Sequence, residues 1–115
     1  MRLMDAGRRQ YRSRLQIAAD IIEIAKNGTR KTRIMYLGNL SFDLLQRYLD
    51  LLLGFGLIQV QNGDQRGYIA TEKGLHFLEE YRELRRLSEM AESKKRSLER
   101  SLTSMLEEPQ EPMST

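Results

Sequence analysis

The stretch "NLSFDLLQRYLDLLLGFGLIQV", Asn39 to Val60, decides the fold. Leu45, Tyr48, Leu49, Leu52 and Leu53 recur at spacings of three and four, the period of one buried helix face. Ser41 is a good N-cap and Asp43 in the first turn complements the helix dipole, so the helix starts there. Gly54 and Gly56 flank Phe55 and stop it. A buried structural helix explains the leucines alone. This one also carries Ser41, Phe42, Asp43, Gln46, Arg47 and Asp50 on its other faces. Gln46 and Arg47 are side-chain types that contact base edges or phosphates. Leu44 lies nearer the outward face, and two roles are open to it: touching thymine methyl groups, or completing an interface with the first helix.

Upstream, Gly38 and Asn39 supply the residue types that most easily enter left-handed conformations, so the chain turns sharply before Leu40. "TRKTRIMYLGN", Thr29 to Asn39, reads as a short helix to about Leu37, capped by Thr29 or Thr32, with Ile34 and Met35 inward. Before it, Leu15, Ile17, Ala18, Ile21, Ile22 and Ala25 recur at helical spacing from Ser13, and Gly28 ends that helix. Helix, tight turn, helix is the implied unit.

Downstream, "LIQVQ" alternates apolar and polar as a half-buried strand does, "NGDQRG" is a turn, and "YIAT" is a second strand. Together they make a β-hairpin. Thr71 followed by Glu72 caps a fourth helix that meets no proline until Pro109. Helical to about Glu107, it extends about 50 Å at 1.5 Å per residue. That exceeds the roughly 25 Å diameter of a seventy-residue domain. Leu75, Phe77, Leu78, Tyr81 and Leu84 pack on the domain; Leu84, Ala91, Leu98 and Met105 then recur every seven residues, joined by Leu87 and Leu102. This seam needs a partner and reads as a dimerisation coiled coil. Lys94, Lys95, Ser88 and Ser101 interrupt it, and a lone solvated helix held by its i to i+4 charge pairs is the alternative.

The length of 115 residues allows one small domain with an appendage. With no cysteine, disulfides, thiolate nucleophiles and cysteine–zinc sites are excluded, and the single His76 makes no histidine cluster. "MRLMDAGRRQYRSR" lacks the apolar core of a secretory signal, and no apolar run approaches the roughly 18 residues needed to span a bilayer. A cytoplasmic, nucleoid-associated protein without membrane contact is expected. Glu79 with Glu80 and Glu107 with Glu108 are neighbours in sequence, which point to different sides of a helix and make poor acid/base partners. No glycine-rich phosphate loop follows a strand. Nothing argues for an enzyme, a cofactor or a metal, and no small-molecule effector is visible.

Charge points elsewhere. Residues 1–71 hold eleven Lys or Arg against six Asp or Glu, a balance of +5; residues 72–115 hold eight against ten, a balance of −2. A polyanion therefore meets the front of the chain. Arg30, Lys31 and Arg33 sit where a helix N-terminus also favours phosphate. Arg66 at the hairpin is a further candidate beside Asp64. Arg8, Arg9, Arg12 and Arg14 form either a DNA-following arm or a solvated end.

Helix, helix-turn-helix, hairpin is the winged helix plan, a mainly α (α+β) fold in which the helix after the turn enters the DNA major groove. The segments "RSRLQIAADIIEIA" from Arg12, "KTRIMYLGNLS" from Lys31, "LLQRYLDLLLGFGLI" from Leu44 and "YIATEKG" from Tyr68 resemble archaeal winged helix DNA-binding proteins that dimerise through a long C-terminal antiparallel coiled coil. The resemblance covers about Arg12 to Leu87. It implies a homodimer that binds double-stranded DNA, as a transcriptional regulator or a chromatin-like protein. It places Lys31, Thr32, Arg33, Ser41, Phe42, Asp43, Gln46, Arg47 and Arg66 at the DNA, and the antiparallel direction rests on it alone. The expected layout is a basic arm over 1–11, a winged helix domain over 12–71, a dimerisation helix over 72–107 and a disordered tail over 108–115. Leu44 and Leu51 depart from the family pattern, and Asp43 and Asp50 make the reading helix acidic. Those departures motivate the alternative of a protein-interaction module within a transcription or viral assembly.

Overall fold

The computed structural model describes residues 12–62 and 66–107. The arm over 1–11, the hairpin tip with Asp64 and the tail over 108–115 lie outside the described residues. The chain divides after Tyr81 into two units.

The first unit contains α1 (Arg14–Ile24), α2 (Lys31–Gly38), α3 (Phe42–Gly54), β1 (Ile58–Gln61), β2 (Gly67–Ala70) and the start of α4 (Glu72–Glu107). This is the expected order of elements. Ile21 and Ile22 of α1, Ile34 of α2, Leu45, Leu49 and Leu52 of α3 and Ile58 of β1 are its fully buried large side chains. Each contributes about 1.5–3 kcal/mol by leaving water. Leu44, Tyr48 and Leu53 pack against this core while partly exposed, so Leu44 serves packing rather than standing out toward a ligand. Leu15 is the exception to the α1 pattern: at the edge of the buried face, it stays 47 % exposed.

Capping follows the expectation at Ser41 and Thr71 and departs from it at α2, while Ser13 adds a cap at α1. The Ser13 hydroxyl accepts from the Gln16 amide, the Ser41 hydroxyl from the Leu44 amide and the Thr71 hydroxyl from the Gly74 amide. Neither Thr29 nor Thr32 caps α2. Its N-cap is Arg30, with no side-chain cap hydrogen bond, because Thr29 is drawn into the sheet. The Thr29 amide donates to the Tyr68 carbonyl (2.9 Å) and the Tyr68 amide returns to the Thr29 carbonyl (2.8 Å). α1 stops at Ile24, ahead of Gly28 with its φ of +92°, so the chain has left the helix before it reaches Tyr68.

The turn between α2 and α3 is made by Asn39, with φ 54° and ψ 51°. Gly38 contributes differently, as the buried last residue of α2, where a Cβ would meet the Leu40 side chain at 3.2 Å. Arg12 holds this turn from outside. Its guanidinium donates to the Asp20 carboxylate (2.7 Å), the Gly38 carbonyl (2.7 Å) and the Asn39 carbonyl (3.3 Å). Arg12 is therefore neither a DNA-following arm residue nor a solvated end; it satisfies carbonyls that the end of α2 leaves without helical partners. Arg12→Ala should lower stability by about 1.5–3 kcal/mol, the range for hydrogen bonds to charged groups. Thermal unfolding monitored by circular dichroism reads this directly.

β1 and β2 pair antiparallel, from Ile58 opposite Ala70 to Gln61 opposite Gly67. Simple alternation fails on β1, where Ile58 is buried but Val60 is 53 % exposed. At the start of α4, the Thr71 hydroxyl donates to the Gly56 carbonyl (2.6 Å) and Lys73 Nζ to the Phe55 carbonyl (2.8 Å), tying this helix to the end of α3.

In the second unit α4 continues to Glu107, and every residue from Arg82 to Glu107 is exposed. Ion pairs at helical spacing support it: Arg86 with Glu83 (2.6 Å) and Arg85 with Glu89 (3.0 Å). The hydrogen bond from Arg86, reinforced by its charge, holds the Glu83 carboxyl below its ordinary range. Leu84, Leu87, Leu98, Leu102 and Met105 are all about half exposed or more. So are Met90 and Leu106 beside them.

Candidate nucleic-acid interface

Three elements of the first unit converge around Lys31. Its ammonium donates to Gln46 Oε1 on α3 and lies 4.2 Å from the centroid of the Phe42 ring. Gln46 Nε2 donates in turn to Asp50 Oδ1 at 3.0 Å, one helical turn on. On its other side Lys31 shares an open cleft of about 270 Å³ with Val60, Arg66, Gly67 and Tyr68 of the hairpin. Exposed Val60 thus has a place, as part of the cleft wall. Gly67 lets the strand approach, since a Cβ there would lie 2.1 Å from the Thr29 carbonyl oxygen and 3.1 Å from the Arg30 Cα. The start of α2, the middle of α3 and the start of β2 therefore form one contiguous surface.

Arg30, Arg33, Arg47 and Arg66 on these elements are exposed, and none of their side chains has a hydrogen bond or ion pair among the described residues. Thr32, Ser41, Phe42 and Asp43 are exposed as well. Gln46 and Lys31 are half-buried and already bonded to each other. This pairing of a candidate reading residue with a candidate phosphate-binding residue was not anticipated from sequence, because fifteen residues separate them. Asp50 is likewise engaged rather than being a free acidic group on α3.

His76 is exposed on α4, 3.9 Å from the Glu80 carboxylate. Among the described residues no group of three or more His, Cys, Asp or Glu side chains is placed to hold a metal ion, and no helix is long and apolar enough to cross a membrane. A second feature of the first unit is apolar. Leu15, Tyr48, Leu51, Phe55 and Phe77 line a groove of about 220 Å³, with Leu51 and Phe55 about half exposed or more.

Residues 11–89 match the sequence profile of the family described as "Winged helix-turn-helix". The chain belongs to this winged helix-turn-helix family. Within it, α2 and α3 are the helix-turn-helix and the β1–β2 hairpin is the wing. The winged helix fold also superposes on the crystal structure of Sso10a-2, a DNA-binding protein from Sulfolobus solfataricus, with a TM-score of 0.72 and 26 % identity. That alignment covers 79 % of this chain and 97 % of the other. An uncharacterized protein of Methanocaldococcus jannaschii is 39 % identical over 54 residues, 46 % of this chain and 56 % of its own length. The chain thus spans about half the length of that curated relative. Both neighbours are archaeal proteins, in keeping with the resemblance seen in the sequence.

Proposed function

We propose that this winged helix protein has a non-enzymatic role as a double-stranded DNA binder, placing α3 in the major groove with the wing and the start of α2 against the phosphates. The observation that carries this reading is the junction of α2, α3 and the hairpin around Lys31, with Arg30, Arg33, Arg47 and Arg66 exposed on these elements and their side chains without a partner among the described residues. The DNA-binding description of Sso10a-2 supports it. The same reading assigns Thr32, Ser41, Phe42 and Asp43 to the interface and makes the protein a transcriptional regulator or a chromatin-like component of the cytoplasm.

Each arginine set against a phosphate releases counterions, so affinity falls steeply with salt. Arg33→Ala and Arg47→Ala should each reduce the slope of log affinity against log salt by about 1, the contribution of one phosphate contact. Fluorescence anisotropy with a labelled duplex at several salt concentrations measures this. Absence of binding at micromolar protein and low salt overturns the reading; two variants that bind like wild type overturn the assigned face.

The homodimer is part of the same proposal, through the exposed seam of Leu84, Leu87, Ala91, Leu98, Leu102 and Met105. Its spacing is symmetric about the boundary between Lys94 and Lys95. Leu84 matches Met105, Leu87 matches Leu102 and Ala91 matches Leu98, each pair equidistant from that point. An antiparallel pair of helices with its two-fold axis there sets every apolar position against an apolar one, and it puts the break in heptad phase at the axis, where it is in register for both chains. This spacing admits the antiparallel direction that the resemblance implies, as it also admits an in-register parallel pair.

A second reading, in which the winged domain docks another polypeptide, is favoured by the apolar groove at Leu15, Leu51 and Phe55. Capture of a specific protein that DNA fails to displace supports it, and loss of that capture on Leu51→Glu assigns the groove.

A further inference from the structure

Gln46 is held by two neighbours whose chemistry leaves no choice about its orientation. A lysine ammonium only donates, so the atom facing Lys31 is the Gln46 amide oxygen; a carboxylate only accepts, so the atom facing Asp50 is the amide nitrogen. Exchanging the two ends of the amide would set donor against donor and acceptor against acceptor. The oxygen has two lone pairs and the nitrogen two protons, so each atom retains one further hydrogen-bonding capacity. What Gln46 can still offer is one acceptor and one donor, side by side on a fixed amide.

We infer that Gln46 reads an adenine in the major groove, with Lys31 and Asp50 as the positioning residues that fix its amide. Adenine presents an N7 acceptor beside an N6 donor, the complement of what the amide has left; guanine presents two acceptors there, which the amide oxygen repels. Thymine offers an acceptor with a methyl group, and cytosine a donor. The inference rests on the proposal that α3 enters the major groove, and it adds a base identity to it. Lys31 takes a second part in positioning through Phe42, whose ring it touches, so that the cation is held between an aromatic face and the amide oxygen.

Asp50 gives this inference an unusual signature. It is an exposed negative charge on the face proposed to meet a polyanion, so its removal favours DNA in general. Asp50→Ala should therefore tighten binding to duplex DNA of arbitrary sequence while flattening the preference for adenine. A merely structural role for Asp50 does not produce these opposite changes.

The test is selection from a random duplex library with wild type, Gln46→Ala and Asp50→Ala, followed by titration of the enriched duplex with 7-deazaadenine, which lacks the N7 acceptor, at the selected position. Wild type should enrich an adenine at one position and lose about tenfold in affinity on the 7-deaza substitution, which leaves the Gln46 amide donor unpaired. Gln46→Ala should show neither preference, and Asp50→Ala should bind the unselected library more tightly with a weakened adenine signal. Enriched duplexes without an adenine position overturn the inference and leave DNA binding standing. An adenine signal that survives Gln46→Ala, or one that Asp50→Ala leaves undiminished, also overturns it. No retention of any library duplex overturns the DNA-binding proposal and this inference with it.

Discussion

Leu98→Lys is expected to convert the proposed dimer into a monomer. Leu98 is 64 % exposed in the single chain and faces Ala91 of the second copy in the proposed antiparallel register. Burying a leucine contributes about 1.5–3 kcal/mol, and the two-fold axis doubles every substitution. Two lost leucines raise the dissociation constant by on the order of a thousandfold. The new charges also stand one turn from Lys94 and Lys95, which in that register would face their symmetry mates. Light scattering across a dilution series measures the change; an unaltered mass at high dilution removes the coiled coil. Direction has its own test, since the chain has no cysteine. Leu87→Cys and Leu102→Cys proteins mixed and oxidised should yield the mixed disulfide in an antiparallel pair, whereas a parallel pair cross-links each variant with itself.

The second large effect is expected at Gly74. A Cβ there would lie 2.0 Å from the Leu57 carbonyl oxygen, a contact with backbone rather than with a side chain that can swing aside. Gly74→Ala must separate α4 from the segment leading into β1, with Leu78 and Ile58 of the core on either side. A cost of about 3 kcal/mol or more follows, at the upper end for forced overpacking. For a domain of this size that lowers Tm by more than about 10 °C. Gly54→Ala is the control. Nothing lies within 4 Å of a Cβ at Gly54, which ends α3 in helical conformation, and alanine should stabilise by about 0.4–1 kcal/mol.

That contrast shows where the sequence was legible. Leu45, Leu49 and Leu52 announced α3 because helical periodicity is local, and Ser41 and Thr71 announced their caps for the same reason. Nothing local marks the role of Gly74, since the carbonyl it accommodates lies seventeen residues away. Thr29 had the chemistry of a cap, but its backbone found Tyr68, and pairing across such a distance outweighs a local preference. Arg12 carried a signal only in hindsight: an arginine eight residues before an aspartate on a helix has many destinations, and here it also meets the carbonyls at the end of α2. At the candidate interface the residue types were visible, whereas the link from Lys31 through Gln46 to Asp50 required the fold to bring α2 and α3 together.

The pairing of Thr29 with Tyr68 has a mechanical consequence. Two hydrogen bonds join the hairpin to Thr29, two residues before α2, and a third runs from the Ala70 amide to the Ala25 carbonyl (2.9 Å). The wing is thereby stitched to the scaffold instead of hanging from its ends, and the amide protons of Thr29, Tyr68 and Ala70 should outlast that of Asn62 in hydrogen exchange. Arg30 and the strand that follows Arg66 then move as one rigid body. The spacing of these two cations is set before any ligand arrives, so association sacrifices little backbone freedom between them.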